Sequence, residues 1–174
     1  AVAASSNKCL EGVPGVGFVL VKKAIIENAK GNCHSLSLDL FDQWQSMEKN
    51  AQWRFTPPTH VLAAFYQALK EHYIEGGIQG RYDRYMQNCK TLCKGMKEIG
   101  FKQLLPDHLQ APIIITFMQP DDPNFKFEQF YDALSKKGFL IYPGKLTIAN
   151  TFRIGCIGYL TSNDMLEALT AIKE

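Results

Sequence analysis

A lysine near the start of the chain lies in the stretch best suited to covalent chemistry. Lys8 follows the polar turn of residues 5–7 and precedes a loop, residues 12–17, that holds three glycines and a proline. Glycines at such positions let the backbone approach another group closely. A lysine partly desolvated at a strand–loop junction favours its neutral amine, which can form a Schiff base with an aldehyde cofactor. The local pattern also fits an ordinary solvated loop lysine.

An arginine near the other end of the chain is the second candidate. Arg153 lies in a predicted strand between the apolar residues Phe152 and Ile154, where an unpaired guanidinium is costly to bury. Its planar fork can bind a carboxylate or a phosphonate through two parallel hydrogen bonds, which a lysine cannot do. A structural salt bridge is the alternative explanation.

A threonine in a proline-rich segment is the third candidate. Thr56 directly precedes Pro57 and Pro58, which restrict the backbone around them. Its hydroxyl is a plausible donor to a phosphate group, and a simple turn threonine is the alternative.

Three weaker candidates lie near these residues in the sequence. Asn7 directly precedes Lys8 and can orient a ligand or the loop itself. Tyr142 and Lys145, in the motif Tyr-Pro-Gly-Lys, can border a substrate entrance. For all three, structural and functional roles remain equally open.

The predicted elements alternate between strands and helices. Residues 17–21 read as a buried strand, which with the segment before Lys8 makes two neighbouring strands joined by the lysine loop. Residues 35–40 alternate as in an extended strand, and residues 53–59 must be irregular because of their consecutive prolines. Thr59 and Ser162 are predicted helix caps, and Gly100 and Gly138 are predicted helix ends. Helices are predicted from Thr59 to the Gly76-Gly77 pair and over 78–99, 126–137 and 162–172, and strands over 101–105, 113–117, 139–142 and 152–156.

Composition excludes several classes of function. The hydrophobic fraction is 46%, the charged fraction 21% and the net charge +2, which are ordinary globular values. Basic residues form no stripe, so a nucleic-acid partner is not expected, and no apolar run is long enough to cross a membrane. The chain also lacks the charged start and long apolar core of a signal peptide.

Cysteine and histidine usage predicts neither disulfides nor a metal site. The five cysteines are an odd number without a Cys-x-x-Cys pair, which is typical of a reduced, cytoplasmic protein. Two of them, Cys89 and Cys93, are four apart in a predicted helix with no histidine nearby. The four histidines are scattered along the chain.

Five motifs occur in a fixed order along the chain: residues 6–15 (SNKCLEGVPG), 35–40 (SLSLDL), 53–60 (WRFTPPTH), 141–145 (IYPGK) and 151–155 (TFRIG). Together they closely resemble the C-terminal half of the 2-aminoethylphosphonate–pyruvate transaminases. These are pyridoxal-phosphate enzymes of the aspartate-aminotransferase fold, in a branch that also contains the alanine–glyoxylate and serine–pyruvate aminotransferases. The resemblance extends over nearly all 174 residues.

The resemblance implies a fold and roles for the candidate residues. It implies an α/β chain, with the end of a fold-type I large domain and a connecting helix over residues 1–77 and a small α+β domain over residues 78–174. In the family, the lysine matching Lys8 holds the cofactor and then moves a proton between substrate and cofactor. The threonine matching Thr56 reaches the cofactor phosphate of the neighbouring subunit, which implies a homodimer with shared sites.

Asn7, from its position beside Lys8, is the candidate to orient the cofactor, and Arg153 is the candidate to bind the acid group of the substrate, a role that the resemblance also implies. The implied reaction moves the amino group of 2-aminoethylphosphonate to pyruvate and gives phosphonoacetaldehyde and L-alanine. Two alternatives remain open: an alanine–glyoxylate or serine–pyruvate aminotransferase, and a non-catalytic fragment. The length of the chain and its lack of an initiator methionine predict a fragment, whose missing N-terminal half would hold further cofactor-binding residues.

Overall fold

A computed structural model describes residues 1–144 and 149–174 of the chain. Within the chain, two compact units are formed by Ala1–Glu71 and His72–Glu174. No helix among the described residues is both long enough and apolar enough to cross a membrane.

The first unit begins with an antiparallel hairpin. Strand β1 (Val2–Ser5) pairs with β2 (Gly17–Leu20), and Ser5 stands opposite Gly17 at the end where the connecting loop leaves the sheet. Helices α1 (Lys23–Glu27), α2 (Leu40–Asn50) and α3 (Thr59–Ile74) follow, and the last three residues of α3 belong to the second unit. The hairpin packs on α3, because the rings of Phe18 and Phe65 stack with their centroids 5.6 Å apart. The predicted strand at 17–21 is present as β2, and a loop carries Lys8 as predicted, but the strand is not buried: Leu20 is exposed, and Phe18 and Val19 are half-buried.

The prediction that residues 35–40 are extended was wrong. Residues 36–38 form a turn in which the Leu38 N–H donates to the hydroxyl of Ser35 at 3.3 Å. The next residue, Asp39, begins α2 by accepting a hydrogen bond from the Asp42 N–H at 3.0 Å. Short polar side chains that bond to nearby backbone groups favour turns and helix caps over strands. The alternating leucines are consequently exposed rather than buried on one face.

In its described residues, the second unit has an α+β arrangement of one three-stranded sheet and three helices. It contains α4 (Gly77–Ile99), β3 (Ile114–Met118), α5 (Phe127–Lys136), β4 (Tyr142–Pro143), β5 (Thr151–Gly155) and α6 (Ser162–Lys173), with a short 3₁₀ turn at Asp107–Leu109. The sheet is antiparallel with the strand order β3-β5-β4. Its core is an apolar cluster drawn from the sheet and all three helices: Cys89, Leu92, Met96, Ile115, Phe117, Leu134, Ile141, Phe152, Ile154, Cys156, Met165 and Leu169.

Most predicted elements of this unit are present, with changes at their ends. Gly100 and Gly138 end their helices with φ of 104° and 88°, as predicted. The predicted strand at 101–105 forms one bridge, from Gln103 to Phe117, and the strand at 139–142 is reduced to Tyr142–Pro143. Proline cannot donate to a strand ladder, which limits how far this edge strand extends.

The predicted helix caps were each displaced by one residue. Thr59 is the first residue of α3 rather than its cap, and Thr161 rather than Ser162 caps α6. The Asp164 carboxylate accepts hydrogen bonds at 2.7 Å from both the N–H and the hydroxyl of Thr161, which fixes the start of α6.

Candidate active site

The loop between β1 and β2 carries Lys8 and is held in place by a buried serine. Ser6 is 0% exposed and donates its hydroxyl hydrogen bond to the Val13 carbonyl at 2.7 Å. Its N–H donates to the Val16 carbonyl at 3.0 Å, and its own carbonyl accepts from the Gly12 N–H at 2.8 Å. One residue thus ties both ends of the loop together. This role of Ser6 was not predicted from the sequence, although its position in the Ser-Ser-Asn turn was a signal.

Two glycines of this loop are needed for close packing. A Cβ atom at Gly12 would lie 2.9 Å from the carbonyl oxygen of Ser6, which is closer than unbonded atoms approach. Gly15 has φ of 132° and would place a Cβ 3.0 Å from Val61 of α3. The expectation that these glycines permit close backbone approach is confirmed: Gly12 approaches the loop's own Ser6 carbonyl, and Gly15 approaches Val61 of α3.

Lys8 itself projects from this framework into solvent. Its side chain is exposed, that of Asn7 is half-buried, and the Lys8 carbonyl accepts a hydrogen bond from the Glu11 N–H at 2.9 Å. The expectation of a partly desolvated lysine is therefore wrong for the chain as described. An accessible primary amine on a backbone fixed by Ser6 nevertheless fits the requirement of an aldehyde cofactor, which needs a reachable nitrogen at a defined position.

The segment that carries Thr56 is anchored by the arginine two residues before it. Arg54 forms a salt bridge to Asp42 of α2 at 3.1 Å and donates to the Leu36 carbonyl at 3.1 Å. Its guanidinium carbon lies 5.2 Å from the centroid of the Phe55 ring. Thr56 follows as an exposed residue of an irregular segment, as predicted. Its hydroxyl is available to a ligand, and Arg54 is a positioning residue that was not predicted from the sequence.

Arg153 lies at the centre of the second unit's sheet. It stands on β5 between Thr116 of β3 and Tyr142 of β4, its partners in the ladder. Because successive side chains of a strand point to opposite faces, Phe152 and Ile154 enter the core and Arg153 faces away from it. The half-buried arginine is therefore presented on the sheet face opposite to the core.

Among the described residues, the guanidinium of Arg153 is held by a hydrogen bond at its Nε end. Its Nε donates to the Pro143 carbonyl at 3.1 Å, and its guanidinium carbon lies 6.0 Å from the ring centroid of Tyr142. Among residues 1–144 and 149–174, no carboxylate lies within salt-bridge distance of it. The alternative of a structural salt bridge is thus not found in the described part of the chain. Because the Pro143 carbonyl is bonded to Nε, the two terminal nitrogens can donate two parallel hydrogen bonds to an acid group.

The segment that follows Arg153 is fastened to α4 by an ion-pair network. Glu75 accepts hydrogen bonds from the Nε atoms of Arg81 and Arg84, each at 2.6 Å. Arg84 also donates to the carbonyls of Gly158 and Leu160. The pKa of Glu75 lies below its ordinary range chiefly because Arg84 donates to the carboxylate, although burial acts in the opposite direction. This network fixes the segment after β5 around Gly158 and Leu160, and it was not predicted from the sequence.

The structure says less about the two remaining candidates, Tyr142 and Lys145. Tyr142 is exposed beside Arg153, and Lys145 lies outside the described residues. Lys8, Asn7 and Thr56 belong to the first compact unit and Arg153 to the second. Within the described ranges, no group of three histidine, cysteine or acidic residues could hold a metal ion.

Comparison with known proteins gives matches over the full chain. No family model matches it. A 2-aminoethylphosphonate–pyruvate transaminase of Pseudomonas fluorescens is 53% identical over 174 residues, which are 100% of this chain and 47% of that protein. One of Rhizobium meliloti is also 53% identical, over 100% of this chain and 45% of the relative. The chain therefore spans about half the length of the curated relatives it matches.

The fold is also found among solved structures. An aspartate aminotransferase of Thermus thermophilus superposes on this chain with a TM-score of 0.82 at 20% identity, covering 98% of this chain and 47% of that one. The α/β fold class implied by the resemblance is confirmed. Sequence and fold together therefore match this chain to the C-terminal half of the 2-aminoethylphosphonate–pyruvate transaminases, within the aspartate-aminotransferase fold.

Proposed function

We propose that this chain forms the C-terminal half of a pyridoxal-phosphate-dependent transaminase that moves the amino group of 2-aminoethylphosphonate to pyruvate. The products are phosphonoacetaldehyde and L-alanine. The observation that carries the proposal is the 53% identity to a curated transaminase of this specificity over all 174 residues. The exposed amine of Lys8 and the accessible fork of Arg153 are the chemical groups that such a reaction needs from this half.

Lys8 is the proposed catalytic and cofactor-binding residue. Bound pyridoxal phosphate supplies an electron sink that makes the proton on the amine-bearing carbon of the substrate removable. The Nζ atom of Lys8 would hold the cofactor and, once released from it, would take and return that proton. The anchoring of the loop by Ser6 supports this role because it leaves the lysine side chain to move while its Cα stays in place.

Arg153 is the proposed binding residue for the acid group of the substrate. Its terminal nitrogens match either two oxygens of a phosphonate or the carboxylate of pyruvate. The Pro143 carbonyl supports this role by holding Nε, which fixes the plane of the guanidinium. One fork can thereby serve both half-reactions.

Asn7 and Thr56 are the proposed further contacts to the cofactor. Asn7 orients it from beside Lys8, and the Thr56 hydroxyl donates to its phosphate. In the proposed homodimer, Thr56 serves the site of the neighbouring subunit, a role that its exposure supports. We further propose that residues 1–77 complete a large cofactor domain, that residues 78–174 form the small domain, and that the protein is cytoplasmic.

A chimera tests the proposed function. It joins the N-terminal half of the Pseudomonas fluorescens relative to this chain at the position where the two sequences begin to match. We expect it to form alanine from pyruvate with 2-aminoethylphosphonate as donor, and Lys8→Ala to lower the rate by at least about a hundredfold. Lys30→Ala, which removes another exposed lysine of the first unit, is the matched control and should leave the rate unchanged.

The same chimera distinguishes the alternatives. Faster turnover with serine or alanine than with 2-aminoethylphosphonate would favour the alanine–glyoxylate or serine–pyruvate aminotransferases. Borohydride reduction in the presence of pyridoxal phosphate, followed by peptide mapping, should label Lys8. A folded chimera without that label would show that this chain is a non-catalytic fragment.

A further inference from the structure

Two thiols meet at the wall of a cleft that has no part in the proposed reaction. Cys89 and Cys93 lie one helical turn apart on α4, and their sulfur atoms are 3.8 Å apart. None of the five cysteines forms a disulfide, and Cys156 is buried next to this pair in the core. Both thiols belong to the lining of the cleft, where Cys93 is half-buried and Cys89 is 5% exposed.

The cleft is large and carries positive charge. Its volume is about 840 Å³, which is within the range of sites that bind small molecules. Four lysines line it, Lys90, Lys94, Lys97 and Lys102, against one carboxylate, that of Asp107. Such an excess of one charge raises the local concentration of ligands of the opposite charge.

One of the two thiols is disposed to react as a thiolate. Hydrogen bonds from Cys156 and Cys93 lower the pKa of Cys89, and Lys90 acts in the same direction. The pKa of Cys93 is raised, because its proton is held in the hydrogen bond to Cys89 and because the site is buried. Cys89 thus loses its proton readily while Cys93 keeps its own, so that a nucleophilic thiolate lies beside a thiol.

We propose that the Cys89–Cys93 pair is a modification site for anionic low-molecular-weight disulfides, which the four lysines of the cleft attract. The thiolate attacks one sulfur of the reagent, a new bond forms between protein and reagent, and the other half of the reagent leaves as a thiolate. The protein sulfur is oxidised and the leaving half is reduced, so the exchange needs no further oxidant.

The helix favours this mixed disulfide over a bond between the two cysteines. Residues four apart on a helix hold their Cβ atoms about 5–6 Å apart. A disulfide needs them at about 3.5–4.5 Å. Direct closure would therefore distort α4, whereas the cleft accepts a group attached to one sulfur.

Site-resolved kinetics of thiol exchange test the proposal. The chain is treated with oxidised glutathione, which is anionic, or with cystamine, which is cationic, and the modified peptides are quantified by mass spectrometry. At low salt we expect one group on the pair, added at least about tenfold faster by the anionic reagent, with the preference lost at high salt. A disulfide joining Cys89 to Cys93, or equal rates for the two reagents, would overturn the proposal.

A charge variant provides the matched control. Lys90→Gln combined with Lys94→Gln removes two exposed charges from the cleft and should reduce the anionic preference at the pair several-fold. The exposed Cys9, in the other compact unit, is the internal reference, and its relative rates should not change. Cys93→Ala removes one of the two thiol hydrogen bonds to Cys89 and should lower the rate at which Cys89 is modified, while circular dichroism verifies the fold. An unaltered preference in the double lysine variant would contradict the role of the cleft.

Discussion

Gly12 lies against Ser6 so closely that its N–H donates to the Ser6 carbonyl at 2.8 Å, while a Cβ atom at residue 12 would lie 2.9 Å from that same oxygen. The hydrogen bond and the missing side chain are two aspects of one contact, which closes the loop that carries Lys8. The loop is therefore shaped by backbone bonds rather than by a hydrophobic cluster of its own.

We expect Gly12→Ala to disrupt this loop. The added methyl group must displace backbone, which costs about 1–3 kcal/mol in a packed site. Both tryptophans, Trp44 and Trp53, lie in the same compact unit, so urea unfolding followed by tryptophan fluorescence reports on that unit. Borohydride labelling of Lys8 in the chimera should fall together with the free energy of unfolding of the first unit.

Gly17→Ala is the matched control for that change. The nearest atom to a Cβ at Gly17 is the Ala4 carbonyl oxygen at 3.6 Å, an ordinary contact. Alanine in a strand also restricts the unfolded chain more than glycine does, so stability should be unchanged or rise slightly. Equal losses in the two variants would show that the Gly12 contact has no special role.

The ion pairs of Glu75 give a second prediction, for the second unit. Glu75→Gln leaves two largely buried guanidiniums without their carboxylate and should lower the free energy of unfolding by about 3 kcal/mol near neutral pH. Glu167→Gln, at an exposed position of α6, should change it by less than about 0.5 kcal/mol. Urea unfolding followed by circular dichroism measures both.

The effect of Glu75 should also depend on pH. Its pKa in the folded protein lies below the ordinary value of 4.5, so its contribution is present above that value and is lost as the pH falls through the folded pKa. The difference in stability between wild type and Glu75→Gln should thus be constant above about pH 5.5 and shrink at lower pH. A difference that persists in full at about pH 3 would contradict this assignment.

What could be predicted from the sequence followed from local rules. The predictions of the long helix ending at Gly100 and of the strand containing Arg153 were correct, because the apolar periodicity of each segment agrees with one buried face. The prediction of a loop around Lys8 was correct, because glycine and proline favour turns through their own backbone preferences. Each of these signals lies within a few residues of the feature that it predicts.

What could not be predicted depended on partners that are distant in sequence or on competing local bonds. Arg81 was missed as a buried residue because only the folded chain brings Glu75 to its guanidinium. Residues 35–40 have the alternation of a strand, yet side-chain bonds from Ser35 and Asp39 to nearby N–H groups favour a turn and a helix start. The burial of Ser6 likewise becomes visible only when residues 13 and 16 fold back over it.

The contact between α4 and α6 gives a third prediction. A Cβ atom at Gly95 would overlap the side chain of Leu169, which is 4% exposed and has little room to move. We expect Gly95→Ala to destabilise the second unit by about 1–2 kcal/mol, since overpacking outweighs the gain in helix propensity of about 1 kcal/mol. The cost of Leu169→Ala should be smaller in the Gly95→Ala background than in wild type. Additive losses in this double-mutant cycle would show that the two residues do not interact.

The fork of Arg153 gives the last prediction, which uses the chimera described for the proposed function. Arg153→Lys keeps the positive charge but loses the paired donors and the bond from Nε to the Pro143 carbonyl. Losing one hydrogen bond to a charged group, worth about 1.5–3 kcal/mol, should lower kcat/KM for 2-aminoethylphosphonate roughly ten- to hundredfold. Borohydride labelling of Lys8 should stay at the wild-type level, because the arginine contacts the substrate rather than the cofactor. A parallel loss of labelling would instead make Arg153 a structural residue. In that case Arg153→Gln, which also removes the charge, should lower kcat/KM no further than Arg153→Lys does.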